Sequence, residues 1–428
     1  MMKKILIAIC LLAGLTSCHK DDDAPEDNRA RRTVLVYMAA ENNLNPYADN
    51  DLEEMMTGSL KLAEDQNLIV YVDKAGASTT PFLARVKNGA LVDTVFMKEA
   101  LAADPYTLQN VIQYTRQLYP AKSYGLTLWG HASGWLVSNK DSISSTRTDS
   151  YKDPQAYGGS TGNGSSSGSG NYWMNIVPMA KAIKNGMGSD HLSFIFGDCC
   201  SLGCLEIAYE LKDVTDYFLG SPAEIPDMGA PYDLVVPYMF NESANYYEKM
   251  LDEYFSYYLE EFKTNLRYYN RTYGDLAGYS VPLVAVKSSE LDNLANATAR
   301  LLGTIAEKVS TTGTLDLDKV VFYAISSGNK YSYDMHHVLK KNTSASDFAT
   351  WQAAFQQAVP YRLCSMQWKT DVYRMKSQMD LFDATIDDCG VLSMFFPSTS
   401  YNSTNPNWNK AIQQFQWNNV IRWEQYGW

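Results

Sequence analysis

Three residues of this chain suit nucleophilic chemistry by type and placement: the adjacent thiols Cys199 and Cys200, and His131. A thiolate attacks carbonyl carbon. A neutral imidazole within hydrogen-bond reach takes the thiol proton and later hands it to a leaving amine. The apolar run Leu192–Phe196 ends in Gly197-Asp198-Cys199-Cys200, and a helical pattern is expected from Ser201. A helix starting there would aim unpaired amides and the positive end of its dipole at the thiol, which favours thiolate. Of the five histidines, His19 lies in a polar N-terminal stretch, His191 precedes its strand, and His336 and His337 fall in a polar helical stretch. His131 alone follows the carboxyl end of a predicted strand, in the small-residue turn Gly130-His131-Ala132-Ser133-Gly134.

The elements expected to position these groups alternate between strand and helix. Thr33–Met38, Leu68–Val72, Tyr124–Trp129, Leu192–Phe196 and Tyr217–Gly220 read as strands; Phe82–Phe96 reads as a hairpin turning at Asn88-Gly89. Leu52–Leu62, Leu108–Leu118, Trp173–Lys184 and the Tyr-rich Tyr246–Tyr269 read as helices. This order implies a mainly parallel sheet covered by helices on both faces. In such a sheet ligands bind beyond the carboxyl ends of the strands, so His131 and Cys200 are expected to meet although 69 positions apart. The Gly130 and Cys200 amides are the expected oxyanion donors. On pattern alone, a catalytic pair and two packing residues fit equally well.

Further along, Val281–Val286 reads as a strand, Glu290–Ala306 and Trp351–Ala358 as helices, and Gly390–Phe396 as a late strand. Residues 33–270 are expected to form the catalytic domain and 271–428 a second α/β portion, with no clear linker between them. The Gly/Ser tract Gly158–Gly170, inside the long 136–171 connection, is expected to be flexible and solvated, and the connection reads either as a disordered insertion or as a mobile loop beside the site. Cys364 and Cys389 are expected either to pair or to stay as thiols.

Residues 1–17 read as a signal peptide: Lys3 and Lys4, then an apolar run too short to span a bilayer. Leu15-Thr16-Ser17-Cys18 resembles a bacterial lipobox with Cys18 the lipidated residue. The acidic stretch after it resembles the surface-export tag of Bacteroidetes lipoproteins, and 18–32 reads as a flexible tether. The expected location is therefore the outer membrane, facing outwards. Removing 1–17 takes away two lysines and no acid, so 34 basic against 48 acidic side chains leave a net charge of −14. Such a surface does not suit nucleic acid.

Five segments, in order, resemble the clostripain family of cysteine peptidases. They are TVLVYMAAENNL from Thr33, LTLWGHASGW from Leu126, FGDCCSLGCLEIAYEL from Phe196, SPAEIPDMGAPYD from Ser221 and GVLSMFFP from Gly390. The resemblance implies a caspase-like fold and hydrolysis of proteins or peptides through a Cys–His dyad, with Cys200 the nucleophile and His131 the base and acid. Cys199 takes the place of a small residue, and Glu206 and Tyr209 are expected in packing or polar networks. The substrate pocket would be formed by Asp198, Asp227 and Met228. Met228 stands where the family carries an aspartate, which makes specificity for Arg or Lys uncertain. Self-cleavage at Lys140, Arg147 or Lys152 would fail if the pocket no longer accepts a basic side chain. No cofactor is expected. Calcium use varies in the family, and Glu41 and Asp73 are read as solvated loop charges rather than its ligands. The chain is expected to be a monomer. The other reading is a non-catalytic lipoprotein that binds peptides or surface ligands on a degenerate peptidase fold.

Overall fold

The computed structural model describes residues 28–76, 78–98, 101–137, 156–167, 172–264, 280–312, 315–326, 328–365, 367–369, 379–381, 389–404 and 406–426. The signal peptide, Cys18 and the three basic residues of the 136–171 connection (Lys140, Arg147, Lys152) lie outside them.

The main sheet takes strands β1 (Ala30–Ala40), β2 (Gln66–Lys74), β3 (Phe82–Lys87), β4 (Ala90–Phe96), β5 (Ala121–Trp129), β9 (Leu192–Asp198), β10 (Thr215–Gly220), β11 (Leu283–Lys287) and β14 (Tyr361–Leu363). A small second sheet is formed by β6 (His131–Ala132), β7 (Tyr157–Ser160) and β8 (Tyr172–Met174). The main sheet runs β14-β11-β10-β9-β5-β1-β2-β3-β4. The five strands from β10 to β2 are parallel, and antiparallel strands flank them on both sides. β1 is central, and its residues sort by the strand period. Leu35, Tyr37 and Ala39 enter one core; Val34, Val36, Met38 and Ala40 enter the other. Each of the larger apolar side chains contributes about 1.5–3 kcal/mol by leaving water, so β1 is fixed from both faces.

On the first face pack α2 (Pro105–Leu118), α3 (Ile176–Met187) and α4 (Leu205–Leu211); on the second pack α1 (Asn45–Ser59), α5 (Tyr232–Met239) and α6 (Tyr246–Thr264). Local chemistry sets several boundaries. Asp104 caps α2 by accepting from the Tyr106 amide at 2.9 Å, with Pro105 just inside. The hairpin turns on Asn88 (φ 52°) and Gly89 (φ 79°), the left-handed pair a two-residue turn needs.

Four segments depart from the sequence expectation. The helix behind the two cysteines starts at Leu205, not Ser201, because Ser201 has φ 60° and its amide is committed to the Ala223 carbonyl. Residues Tyr172–Met174 form a strand against β7, and the helix waits until Ile176, with Pro178 in its first turn. The late strand shrinks to β17 (Ser393–Met394), since Val391 at φ 55° interrupts the extended run. The start of the Gly/Ser tract is not solvated: Tyr157–Ser160 is a buried strand. A Cβ on Gly158 would stand 2.8 Å from that of Ala103.

The C-terminal portion adds β11 and β14 to the main sheet and forms a separate one from β12 (Phe322–Ser326), β13 (Asn329–Asp334) and β17, and a two-stranded one from β15 (Gln367–Lys369) and β16 (Met379–Leu381). It packs directly behind the cysteine turn. The Ser393 amide donates to the Gly203 carbonyl at 3.0 Å, and the Phe395 amide to Glu206 Oε1 at 2.8 Å. Cys364 and Cys389 are free thiols in side-chain contact.

Candidate active site

β5 and β9 are neighbouring parallel strands in a register that sets Trp129 opposite Asp198. His131 and Cys200 each lie two residues in sequence beyond that pair, in the turns that leave the carboxyl ends of these two strands, which a sheet spaces about 4.8 Å apart. The turns carrying them touch. Gly134 (φ 68°) lies so close to the cysteine turn that a Cβ there would stand 3.0 Å from the Ser201 carbonyl oxygen. Gly130 (φ 145°) brings the chain equally close to β1, where a Cβ would meet the Ala39 carbonyl at 3.2 Å.

The two adjacent thiols have opposite environments. Cys199 is fully buried in the first core and donates to the Leu128 carbonyl at 2.8 Å. Burial pushes its pKa well up, which leaves it an inert packing thiol. The nearby Gly130 amide offsets part of that rise. Cys200 is only partly buried and packs against the second core; its sulfur accepts from the Ile225 amide at 3.5 Å. With α4 starting at Leu205, the helix dipole does not act directly on Cys200. Cys204, the residue before that helix, is buried and donates to Glu206 Oε2 at 2.8 Å. Glu206 thus ties the helix start to β17, and Tyr209 donates to Asp292 at 2.7 Å.

His131 is held in the small sheet, opposite Gly158 of β7. Its Nε2 lies 2.7 Å from Asn43 Oδ1, and its ring centroid is 6.2 Å from that of Trp173. Burial pulls its pKa down to about 4, so the imidazole is neutral at pH 7 and able to accept a proton.

Of the three expected pocket residues, Asp198 is buried, Asp227 exposed and Met228 partly buried against the second core. Asp198 accepts from the Tyr232 hydroxyl (2.8 Å), the Tyr254 hydroxyl (3.1 Å) and the Ala230 amide (3.1 Å). Burial nevertheless raises its pKa to about 6. The 226–229 turn lies directly over it: a Cβ on Gly229 (φ 62°) would stand 2.7 Å from Asp198 Oδ2 and 3.4 Å from Asp51 Oδ2. Asp51, from α1, accepts from Trp129 Nε1 at 2.5 Å; burial and then the Asp198 charge push its pKa up to about 9.

Glu41 and Asp73 are buried, not solvated. Glu41 accepts from the Thr161 hydroxyl (3.2 Å) and from the Gly162 (3.0 Å) and Gly164 (2.5 Å) amides; Asp73 accepts from the Ala102 amide at 2.9 Å. Their carboxylates thus hold the 161–164 backbone and the turn at Ala102. Among the described residues no cluster of three or more His, Cys, Asp or Glu is placed to hold a metal ion.

The sequence reading missed Asn43, Trp173 and Asp51. Asn43 follows the carboxyl end of β1, so the sheet-end rule that selected His131 and Cys200 reaches it as well. Asp51 carries no such signal, being one acid among several on a helix.

Solved structures resemble the chain over almost its whole length. A secreted C11 cysteine protease from Bacteroides thetaiotaomicron, solved with an irreversible peptide inhibitor, is 27% identical with a TM-score of 0.72, covering 92% of this chain and 99% of that one. An inactive zymogen C11 protease from Parabacteroides distasonis is 23% identical with a TM-score of 0.69, covering 92% and 98%. Iotapain, a secreted C11 cysteine protease from Bacteroides thetaiotaomicron, is 18% identical with a TM-score of 0.65, covering 92% and 99%. No curated protein matches. The family model of the clostripain peptidases matches residues 36–426. With strand order, cysteine turn and histidine turn all in place, the chain belongs to the clostripain family and is a cysteine peptidase of caspase-like fold.

Proposed function

We propose that Cys200 is the nucleophile and His131 the general base and acid of a surface endopeptidase. The observation that supports this is the β5–β9 register: the turns that carry His131 and Cys200 leave the same ends of two neighbouring parallel strands and touch at Gly134 and Ser201, with the imidazole neutral, the Cys200 thiol partly accessible and Cys199 buried. As the Cys200 sulfur attacks the scissile carbonyl carbon, its proton passes to His131. The carbonyl oxygen becomes an oxyanion, for which the Gly130 and Cys200 amides are the donors. Collapse breaks the C–N bond, and His131 returns the proton to the leaving amine. Water, deprotonated by the same imidazole, then hydrolyses the thioester.

The side chain before the scissile bond is read as uncharged. Asp198 already holds three donors beneath the Gly229 turn, while Met228 and Cys200 pack against one apolar cluster. Cleavage in the 136–171 connection at a basic residue is then not self-inflicted. The leader and Cys18 support anchoring in the outer membrane, and no described helix is long and apolar enough to cross a membrane. The test is cleavage-site profiling on a mixed peptide library: Cys200→Ala and His131→Ala abolish hydrolysis and Cys199→Ala does not. Full activity in Cys200→Ala overturns the assignment. Dominant cleavage after Arg or Lys overturns the specificity alone.

A further inference from the structure

A carboxamide oxygen only accepts hydrogen bonds, so the 2.7 Å contact between Asn43 Oδ1 and His131 Nε2 requires the hydrogen to sit on Nε2. Nδ1 then keeps the lone pair. We propose that Asn43 is a positioning residue that fixes His131 as the Nε2–H tautomer, so that Nδ1 is the atom that takes the Cys200 proton. This rests on the reading of Cys200 and His131 as the reacting pair.

The backbone around Asn43 is built to hold still. Asn42 donates from Nδ2 to the Ala39 carbonyl at 2.9 Å, and its Oδ1 accepts from the Leu44 amide at 2.9 Å. Glu41 grips the 161–164 segment just past β7, the strand that pairs with His131. Asn43 and His131 are therefore braced against the same piece of chain. The Asn43 side chain itself is exposed, so the fold gains little from it. The groups set against the imidazole are Asn43, Trp173 and Gly158 of β7, and none of these titrates. Glu41, two residues from Asn43, has its carboxylate turned to the 161–164 backbone, and burial alone moves the His131 pKa.

The experiment compares full-length wild type, Asn43→Ala, Asn43→Asp and His131→Ala. It measures kcat/KM against pH on a peptide from the library and the rate at which iodoacetamide alkylates Cys200. Asn43→Ala should melt at the wild-type temperature and lose roughly 10- to 100-fold in kcat/KM, the order expected for one hydrogen bond that orients a reacting group. Asn43→Asp restores the acceptor and recovers most of that loss. Its carboxylate favours the imidazolium, so the acid limb of the profile moves up by about one pH unit or more. Wild-type activity in Asn43→Ala with His131→Ala inactive overturns the role of Asn43 and leaves the reacting pair standing. An acid limb unmoved in Asn43→Asp also overturns it. Wild-type activity in His131→Ala overturns both readings.

Discussion

Replacing Asp51 by Asn asks whether the acid cluster beneath the Gly229 turn is held in its neutral form. Asp51 is 1% exposed, and burial, then the Asp198 charge, raise its carboxyl from the ordinary 3.8 to about 9. Above pH 3.8 the unfolded chain has released this proton and the folded chain retains it. The folded state binds more protons across that window, so the stability present below the unfolded pKa is lost as pH rises towards the folded one. Each pH unit removes about 1.4 kcal/mol, and the span from about pH 4 to pH 8 removes on the order of 5 kcal/mol. Asn keeps an oxygen for the Trp129 indole N–H and has no proton to lose. With an unfolding entropy of about 2.1 cal/mol/K per residue over roughly 400 residues, 5 kcal/mol corresponds to a melting shift of about 6 °C. The assay is thermal unfolding of Asp51→Asn against its parent between about pH 4 and pH 8, both on a Cys200→Ala background to prevent self-digestion. The two should melt together at the acid end, with Asp51→Asn about 6 °C higher at the alkaline end. Parallel curves would refute the reasoning, because Asp51 would then be ionised in the fold.

Three further substitutions probe the scaffold. Cys199→Ala removes a buried thiol that donates to Leu128; it should cost about 1–2 kcal/mol in denaturant unfolding and leave peptidase activity intact. Glu41→Ala strips the acceptor from one hydroxyl and two amides; it should cost about 3 kcal/mol and speed limited proteolysis between residues 160 and 167, read by mass spectrometry. Gly229→Ala puts a Cβ at φ 62° and 2.7 Å from Asp198 Oδ2; about 2–4 kcal/mol of lost stability and a drop in turnover are expected, and wild-type values for both would mean the turn over Asp198 is looser than described.

The parallel core of the fold was legible because its strands are buried on both faces and so read as unbroken apolar runs: TVLVYM, LIVYV and YGLTLW all fall within strands. The sheet-end rule then pointed to the turns after β5 and β9, which leave neighbouring parallel strands and approach each other at Gly134 and Ser201. What escaped depended on single backbone angles or long-range partners. Nothing local marks Ser201 or Val391 as left-handed, yet each ends the regular element expected there. Tyr157–Ser160 looks like a linker because glycines and serines dominate its neighbourhood. Its order comes from pairing with β6 and β8 and from the close approach of Ala103, while Glu41, more than a hundred residues earlier, holds the 161–164 segment that follows. The acid pair Asp51–Asp198 joins a helix to a strand end and has no spacing that a sequence could reveal.

The pairing of β6 with β7 also governs what a break in the chain would do. The histidine strand precedes residues 138–155 and its partner follows them, while β5 is wedged between β1, from the first piece, and β9, from the second. A single cut within that stretch would give two polypeptides that share one continuous sheet, with the His131 turn on one and the cysteine turn on the other. Neither piece would have a complete hydrophobic interior alone. The nicked molecule would therefore elute from a sizing column as one particle and separate only in denaturant, much as a heterodimer does whose subunits never fold apart.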